Sequence, residues 1–536
     1  MPEAVPHLFL LAFNDLFETP YLSKLERHIL PNYLQRQRWF ASKATTIKRL
    51  RIAESFIPPD SHFALLIVEV ELIRRRTERY FLPVSLKLLN RSNTITHDYP
   101  QSLITECSLC GKPAAIIDAI YDDAFRAFLF SSVSAASIFK SNCAMFQFES
   151  GLNESFRAAL PSKVLAVEQS NSSIRYGKDL FMKVYRKLET GLNPDVEVLS
   201  FLTETKSFEH APKYVGSMRH VAPNGQKTSL ALVQTFTKNK SSAWQFTLSE
   251  VQAFYKKLVN QEPITLSDSS YFEHLDAPVL QLVKKNVGRF LTHAARLGER
   301  TAELHLALAS SRRLTFRPER LTKEHQSEIQ TELISEATST LKLLHAKLDT
   351  LPSDTQAHAE WILSRRRHIF TRLKSMTQSP FDVHRIRIHG DYHLGQVLFT
   401  GKEFVIIDFE GEPMRPIEDR RKKRPAFADL AGMIRSFHYA AYAALLQEST
   451  YSKSALHRLT LFGEIWFHQV SRAFLKSYLS VADGAPFVPK TLDERERLLR
   501  TFLLSKAMYE LSYELNNRPD WVMIPLRGIV QILSES

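Results

Sequence analysis

Glycine is scarce in this sequence, 16 residues of 536, which leaves little room for flexible linkers and fits a helix-heavy chain. Cysteine is scarcer still. Cys107, Cys110 and Cys143 form an odd, sparse set, which argues against a disulfide framework and for a reducing compartment. Cys107 and Cys110 make a CxxC before Gly111, but no second CxxC or paired His cluster follows at zinc-site spacing, so no metal is assigned there. The opening MPEAVPH lacks a basic n-region, and no apolar run approaches the length of a membrane span. The expectation is a soluble, cytoplasmic protein without a membrane partner. There is no internal repeat and no low-complexity segment.

What is present is length and positive charge. At 536 residues the chain is too long for one ordinary core, and about two to four packed units are expected. Lys and Arg number 70 against 57 Asp and Glu, a net charge of +13, which suits a nucleotide and equally suits nucleic acid. The densest basic run is Arg420, Arg421, Lys422, Lys423 and Arg424. As a bare string it reads as a nuclear-targeting signal or a solvated loop, whereas its position just after the candidate metal site favours a loop near phosphates.

That metal site belongs to the stretch Arg385 to Pro413, RIRIHGDYHLGQVLFTGKEFVIIDFEGEP. Phosphoryl transfer to an alcohol needs a positioned proton acceptor for the hydroxyl and oxygen ligands for Mg2+. Asp391 fits the acceptor. In the protein-kinase catalytic loop the acidic residue is followed five positions later by a metal-binding amide, and Gln396 stands at that interval from Asp391. The runs GQVLF and EFVII around Gly401 predict a hairpin that delivers Asp408 at the end of its second strand, where a second metal-binding carboxylate belongs. Glu410 and Glu412 lie close by and could assist the metal or a sugar hydroxyl, or be ordinary turn carboxylates. His389 is read as a brace for the loop.

The first hundred residues mix a helical opening with alternating runs such as HFALLIVEVELI and RYFLPVSLKLL, a small α+β unit. A second strand-and-helix region runs from about Leu103 to Leu160. In VLAVEQSNSSIRYGKDLFMKVYRKLE two β-rich runs bracket a polar cluster, Ser170, Asn171, Ser172 and Ser173. Glu168 to Ser173 is the candidate phosphate loop, although it is not a GxGxxG, and Lys183 within LFMKVY is the candidate phosphate-binding lysine. Asn193-Pro194 starts a helix that carries Glu197, the expected partner of Lys183. Gln234 to Thr237, including Phe236, then follows the strand SLALVQTF as a crossing segment whose backbone could bind adenine. From about Lys240, long helical periodicities such as GRFLTHAARLGERTAELHLALAS and ERLLRTFLLSKAMYELSYELNN dominate. Strands first and helices later imply an α+β, bilobal protein-kinase-like fold, with a β-rich N-terminal lobe and a mostly helical C-terminal lobe.

Late in the chain Lys506, Tyr509, Glu510, Tyr513 and Glu514 recur at three- and four-residue intervals, so one helix face presents a cation, two phenols and two carboxylates. Spacing alone leaves two readings open, a shelf for a sugar and an amphipathic surface helix with its Tyr rings packed inward.

The whole pattern resembles maltokinase, the ATP-dependent enzyme that makes maltose 1-phosphate and shares the kinase-like fold of aminoglycoside phosphotransferases. The likeness is carried by PNYLQRQRWFASK (Pro31 to Lys43), EQSNSSI, KVYRKLETGLNPDVEVLSFL (Lys183 to Leu202), LGERTAELHLALA, HGDYHLGQ, IDFEGEP, DLAGMIRSFHYAA (Asp429 to Ala441) and KAMYELSYELNNRPDWVMIPLRGI (Lys506 to Ile529). It implies a cap subdomain at 1–102, an intermediate subdomain at 103–160, a nucleotide-binding part and hinge at 161–238, and a helical lobe at 239–536 that holds catalysis and the sugar. It also implies ATP and Mg2+ as cofactors and Lys506, Tyr509 and Tyr513 as acceptor contacts. Its implied role is α-glucan (glycogen) synthesis, with maltose supplied by a separate trehalose synthase and the product used by a glucan enzyme. Two alternatives remain: a kinase of the same fold acting on an aminoglycoside or choline, and a silent nucleotide- or nucleic-acid-binding protein. Retention of every carboxylate that catalysis needs argues against silence, and no nucleic-acid partner is expected.

Overall fold

A computed structural model describes residues 7–43, 45–73, 77–89, 95–141, 144–151, 160–165, 170–262, 271, 277–448 and 451–534. The chain is α+β, with a β-rich N-terminal region and a helical C-terminal part. It divides into two compact units, one of Met1–Glu204, Pro212–Thr237 and Pro416–Glu418, the other of Thr205–Ala211, Lys238–Arg415 and Asp419–Ser536. No helix among the described residues is long and apolar enough to cross a membrane.

The first unit holds two sheets. One runs in the order Leu8–Leu10, Leu103–Leu109, Lys112–Asp118, Val84–Leu88, Phe63–Leu72, Thr77–Phe81 and Lys187–Leu188, with Ile47–Phe56 also paired to Phe63–Leu72. Phe63–Leu72 reads FALLIVEVEL and is buried along most of its length, as expected of a β-branched, apolar strand covered on both faces. The other sheet is antiparallel throughout, in the order Ser162–Leu165, Asn171–Tyr176, Leu180–Tyr185, Lys227–Thr235, Tyr214–Val221, Met145–Ser150 and Ile138–Lys140. The helix Asp123–Ser134, capped by the Asp122 carboxylate, packs on it. Helix and sheet approach closely at Gly216, where a Cβ would stand 2.5 Å from Val133 Cγ1 and from the Glu149 carbonyl oxygen.

A single extended segment joins the two sheets. Leu180–Tyr185 belongs to the second and Lys187–Leu188 to the first, and Arg186 sits at the joint. Its guanidinium is buried against Asp118 Oδ2 at 2.6 Å, donates to Ser172 Oγ at 2.8 Å and stacks over Trp39. Tyr33 donates a further hydrogen bond to Asp118. Such a pair is held by the surrounding polar partners and by packing, since two buried charges alone barely offset their desolvation.

The second unit is built from the helices Ala243–Leu258, Ala277–Leu308, Lys323–Lys347, Phe427–Leu446, Lys453–Val481, Leu492–Asn517 and Met523–Ser534, among shorter ones. Both long periodic segments of the sequence lie in these helices, at Ala277–Leu308 and Leu492–Asn517. Phe427–Leu446, FADLAGMIRSFHYAAYAALL, is buried on all sides and forms the central post of the unit. The predicted hairpin is present: Val397–Phe399 pairs antiparallel with Phe404–Ile406, and Gly401 turns between them at φ +103°. Only a residue without a Cβ adopts that φ without strain.

Candidate active site

The loop after Ile386 is fixed from one face of the Phe427–Leu446 helix. Asp429, in its first turn, accepts the backbone N–H of His389 at 2.7 Å and of Gly390 at 3.0 Å, and meets His305 Nε2 at 3.1 Å. Burial opposes its ionisation, yet His305 and the backbone donors hold its carboxyl below the usual range. One turn on, Gly432 lets the Tyr392 carbonyl oxygen come within 2.6 Å of where a Cβ would be. Another turn on, the Ser436 hydroxyl accepts the Leu394 N–H at 3.1 Å. Residues at i, i+3 and i+7 share a helix face, so one stripe of DLAGMIRS grips three consecutive parts of HGDYHL. His389 braces the loop as expected, its Nε2 lying 3.0 Å from the Ile407 carbonyl oxygen.

Asp391 projects from this loop. Its Oδ1 is 3.1 Å from Lys506 Nζ and its Oδ2 is 3.8 Å from His393 Nε2. Burial works against the charge, but Lys506 and then His393 keep the carboxyl below its ordinary pKa, so Asp391 is ionised at neutral pH. Lys506 also reaches Glu412 Oε1 at 2.7 Å and lies 4.5 Å from the centroid of the Tyr509 ring. Burial would lower its pKa, but Glu412 and Asp391 hold it well above that of an ordinary lysine. Glu412 is shared with Arg415 at 2.6 Å. Asp391, Glu412, Arg415, Lys506 and Tyr509 line one cleft with Glu332 and Glu336 of the Lys323–Lys347 helix.

At the base of the hairpin, Gln396 Nε2 donates to Asp408 Oδ2 at 2.7 Å. Asp408 has φ +64°, a costly conformation for a residue with a side chain and one that collects at functional sites. Carboxylate oxygens of Asp408 and Glu410 lie within 4.8 Å of each other. Two carboxylates and an amide oxygen are the donors a hard divalent cation takes.

Within the first unit, Lys183 is buried and forms an ion pair with Asp195 Oδ2 at 3.3 Å. Glu197, the expected partner, is buried in the same opening turn of the helix Pro194–Thr205 that carries Asp195. Asn193 starts that helix by accepting the Asp195 N–H on its side chain at 2.9 Å. The polar cluster needs correction. Asn171, Ser172 and Ser173 are not in a loop but open the strand Asn171–Tyr176, in register with Tyr185, Val184 and Lys183. Ladder pairing claims their backbone, and Ser172 is engaged by Arg186. Ser170 precedes the strand, while Glu168 and Gln169 lie outside the described residues. Gln234 is the penultimate residue of the strand Lys227–Thr235, opposite Phe181, and Phe236 donates its N–H to the Asp179 carbonyl oxygen under the Arg175 guanidinium.

The helix Leu492–Asn517 does not present one functional face. Lys506 and Tyr509 reach the cleft, whereas Glu510 binds Arg435 at 2.8 Å and Glu514 binds Tyr439 and Arg518. Tyr513 is 44% exposed, lies near the Arg518 guanidinium and is not among the residues that line this cleft. The basic run is largely paired: Lys422 with Asp419 and Glu328, Lys423 with Glu319, Arg424 with Glu332. Asp195, Asp429, Glu336 and Arg415 were not singled out from the sequence. The only signal for any of them was the helix-face spacing of Asp429, Gly432 and Ser436.

Comparison with known proteins places this geometry. Residues 33–122 match the maltokinase N-terminal cap domain, and residues 251–446 match the phosphotransferase enzyme family. A glucosamine kinase of Streptacidiphilus jiangxiensis is 21% identical over 389 residues, 71% of this chain and 76% of that protein. A glucosamine kinase of Mycolicibacterium smegmatis is 32% identical over 152 residues, 27% of this chain and 34% of that protein. Among solved structures, glucosamine kinase in complex with glucosamine, ADP and inorganic phosphate aligns with a TM-score of 0.60 at 16% identity, over 94% of this chain and 99% of that chain. Its crystal form B aligns with a TM-score of 0.63 at 17% identity, over 94% and 97%.

Proposed function

We propose that this chain, which joins a maltokinase N-terminal cap domain to a region of the phosphotransferase enzyme family, is an ATP-dependent sugar kinase with maltose as its acceptor and maltose 1-phosphate as its product. The observation that carries the reading is the Asp391 carboxylate, held ionised by Lys506 in a cleft with Glu412 and Tyr509, on the same chain segment as the Gln396–Asp408 pair. The cleft suits an uncharged polyol, because most of its acids already have cationic partners.

On this reading Asp391 orients the anomeric hydroxyl and accepts its proton as the hydroxyl oxygen bonds to the γ-phosphorus. The bond from that phosphorus to the β,γ-bridging oxygen breaks, and ADP leaves with the electron pair. Lys183, oriented by Asp195 with Glu197 beside it in sequence, contacts the α- and β-phosphates. Ser170 contacts them, and the crossing segment Gln234 to Thr237, with Phe236, lies against adenine. Bound Mg2+, held by Gln396 and Asp408 with Glu410 nearby, would neutralise charge on the triphosphate. We assign residues 1–102 to the cap, 103–160 to an intermediate part, 161–238 to nucleotide binding and 239–536 to catalysis and sugar binding. Maltose would come from a separate trehalose synthase, and the glycosyl phosphate would pass to a glucan-building enzyme.

A second reading takes glucosamine as acceptor, because the relatives named above are glucosamine kinases. Incubating the pure protein with ATP, Mg2+ and a panel of maltose, glucosamine, glucose and amino-alcohols, then identifying the phosphorylated product, separates the two. Maltose 1-phosphate as the dominant product supports the first reading; glucosamine phosphate replaces it with the second, and no phosphorylated sugar removes both.

A further inference from the structure

One acid of the cleft stands without a protein partner among the described residues. Glu336, on the Lys323–Lys347 helix, lines it together with Asp391, Glu412, Lys506 and Tyr509. The other acids there are engaged: Asp391 by Lys506, Glu412 by Lys506 and Arg415, Glu332 by Arg415 and Arg424, Asp419 by Lys422, and Asp429 by His305 and two backbone donors. Glu336 has no hydrogen bond and no ion pair among the described residues. A carboxyl that faces a cleft without a protein partner is open to hydrogen-bond the hydroxyls of a ligand bound there.

We propose that Glu336 is an acceptor-binding, specificity-determining residue whose neutral carboxyl hydrogen-bonds hydroxyls of an uncharged sugar in this cleft. The proposal deepens the maltose reading and rests on it. A protonated carboxyl both donates and accepts, so it pairs with a sugar hydroxyl that does the same; a carboxylate only accepts. Its surroundings keep the proton on below about pH 7. Burial first, and the Glu412 charge second, push its pKa up to about 7, against the pull of Arg415 and Lys506 and with Glu332 adding to the rise. Those groups come from the loop after Gly411, from the Leu492–Asn517 helix and from Glu336's own helix, and Tyr509 of the Leu492–Asn517 helix faces the cleft beside them. A sugar bearing an ammonium group would favour the ionised form, and the two acceptor classes therefore depend on pH in opposite senses.

The test is steady-state kinetics of the full chain with ATP and either maltose or glucosamine, from about pH 6 to about pH 8, for the native protein, Glu336→Gln and Glu336→Ala. The native kcat/KM for maltose should fall as pH rises through about 7, approaching tenfold per unit above it. Glu336→Gln, which cannot lose a proton, should remove that fall at a cost of a few-fold in maltose KM. Glu336→Ala should raise the maltose KM on the order of tenfold, and the ATP KM should stay put in both. A Glu336→Gln profile that falls like the native one overturns the proposal, as does an unchanged maltose KM in Glu336→Ala. If that last variant does not fold, the Gln profile decides alone. Failure of the acceptor reading looks different, because native protein then uses glucosamine and not maltose; loss of glucosamine use in Glu336→Gln would then overturn the assignment to an uncharged sugar.

Discussion

Replacing Lys506 by Met removes the one cation that Asp391 and Glu412 share, and the consequence can be worked in both stability and rate. The two contacts are 3.1 and 2.7 Å, and the three side chains are 16%, 19% and 9% exposed. Removing one partner of a buried ion pair costs about 3–5 kcal/mol because the remaining charge is left uncompensated. Glu412 keeps Arg415 and Asp391 keeps some solvent, so the expected loss is at the lower end, about 3 kcal/mol, read from urea denaturation at neutral pH. The sign against pH follows from the direction of the shifts. Asp391 and Glu412 are held below their ordinary values in the folded state, so their contribution is present above the unfolded values near about 4 and fades as pH falls through the folded ones. The gap between native and Lys506→Met proteins should therefore be full at pH 7 and narrow in acid. In kinetics the acid limb of kcat/KM, set by ionised Asp391, should move to higher pH in the variant. A variant that loses less than about 0.5 kcal/mol and keeps the native acid limb would refute the claim that Lys506 is what holds Asp391 charged.

Asp391→Asn should lower turnover by at least about a hundredfold while ATP binding and melting temperature stay near native; near-native turnover in a folded variant would remove Asp391 from the chemistry. Asp408→Ala should abolish divalent-dependent activity, tested by Mg2+ titration at fixed ATP, and activity that survives at ordinary Mg2+ would show the cation is held elsewhere. Gly432→Ala puts a methyl 2.6 Å from the Tyr392 carbonyl oxygen, so it should cost about 1–3 kcal/mol and lower kcat by displacing the loop; an equally active and stable variant would mean that the loop does not need that close approach.

The hairpin that carries Gln396 and Asp408 was legible because it is local: alternating runs, a Gly turn and a carboxylate at the strand end all lie within a short stretch. Lys183 and the opening of its helix were legible for the same reason. The contact of Lys183 with Asp195 was not, because it depends on where Asn193 starts the helix. The polar run at Asn171 to Ser173 reads as a turn by composition, yet pairing with Leu180–Tyr185 overrides that preference. Tyr509 and Tyr513 have equal spacing claims from one helix; which of them meets the cleft is set by neighbours far away in sequence. Glu336 carries no local signal at all, since its role depends on the elements packed around its helix.

The joint at Arg186 has a consequence for how such a chain can be cut or exchanged. It lies three positions after Lys183, and its guanidinium ends on Asp118 and over Trp39, both far from it in sequence. A chain trimmed to begin after Asp118 would leave Arg186 without its counter-ion and Lys187–Leu188 without its strand partner Thr77–Phe81. The N-terminal portion is therefore not an accessory bolted onto a nucleotide-binding sheet. It supplies the counter-ion that lets the lysine strand continue past its own sheet, so the two sheets are expected to unfold, refold and be exchanged between relatives as one cooperative piece, lost or kept together.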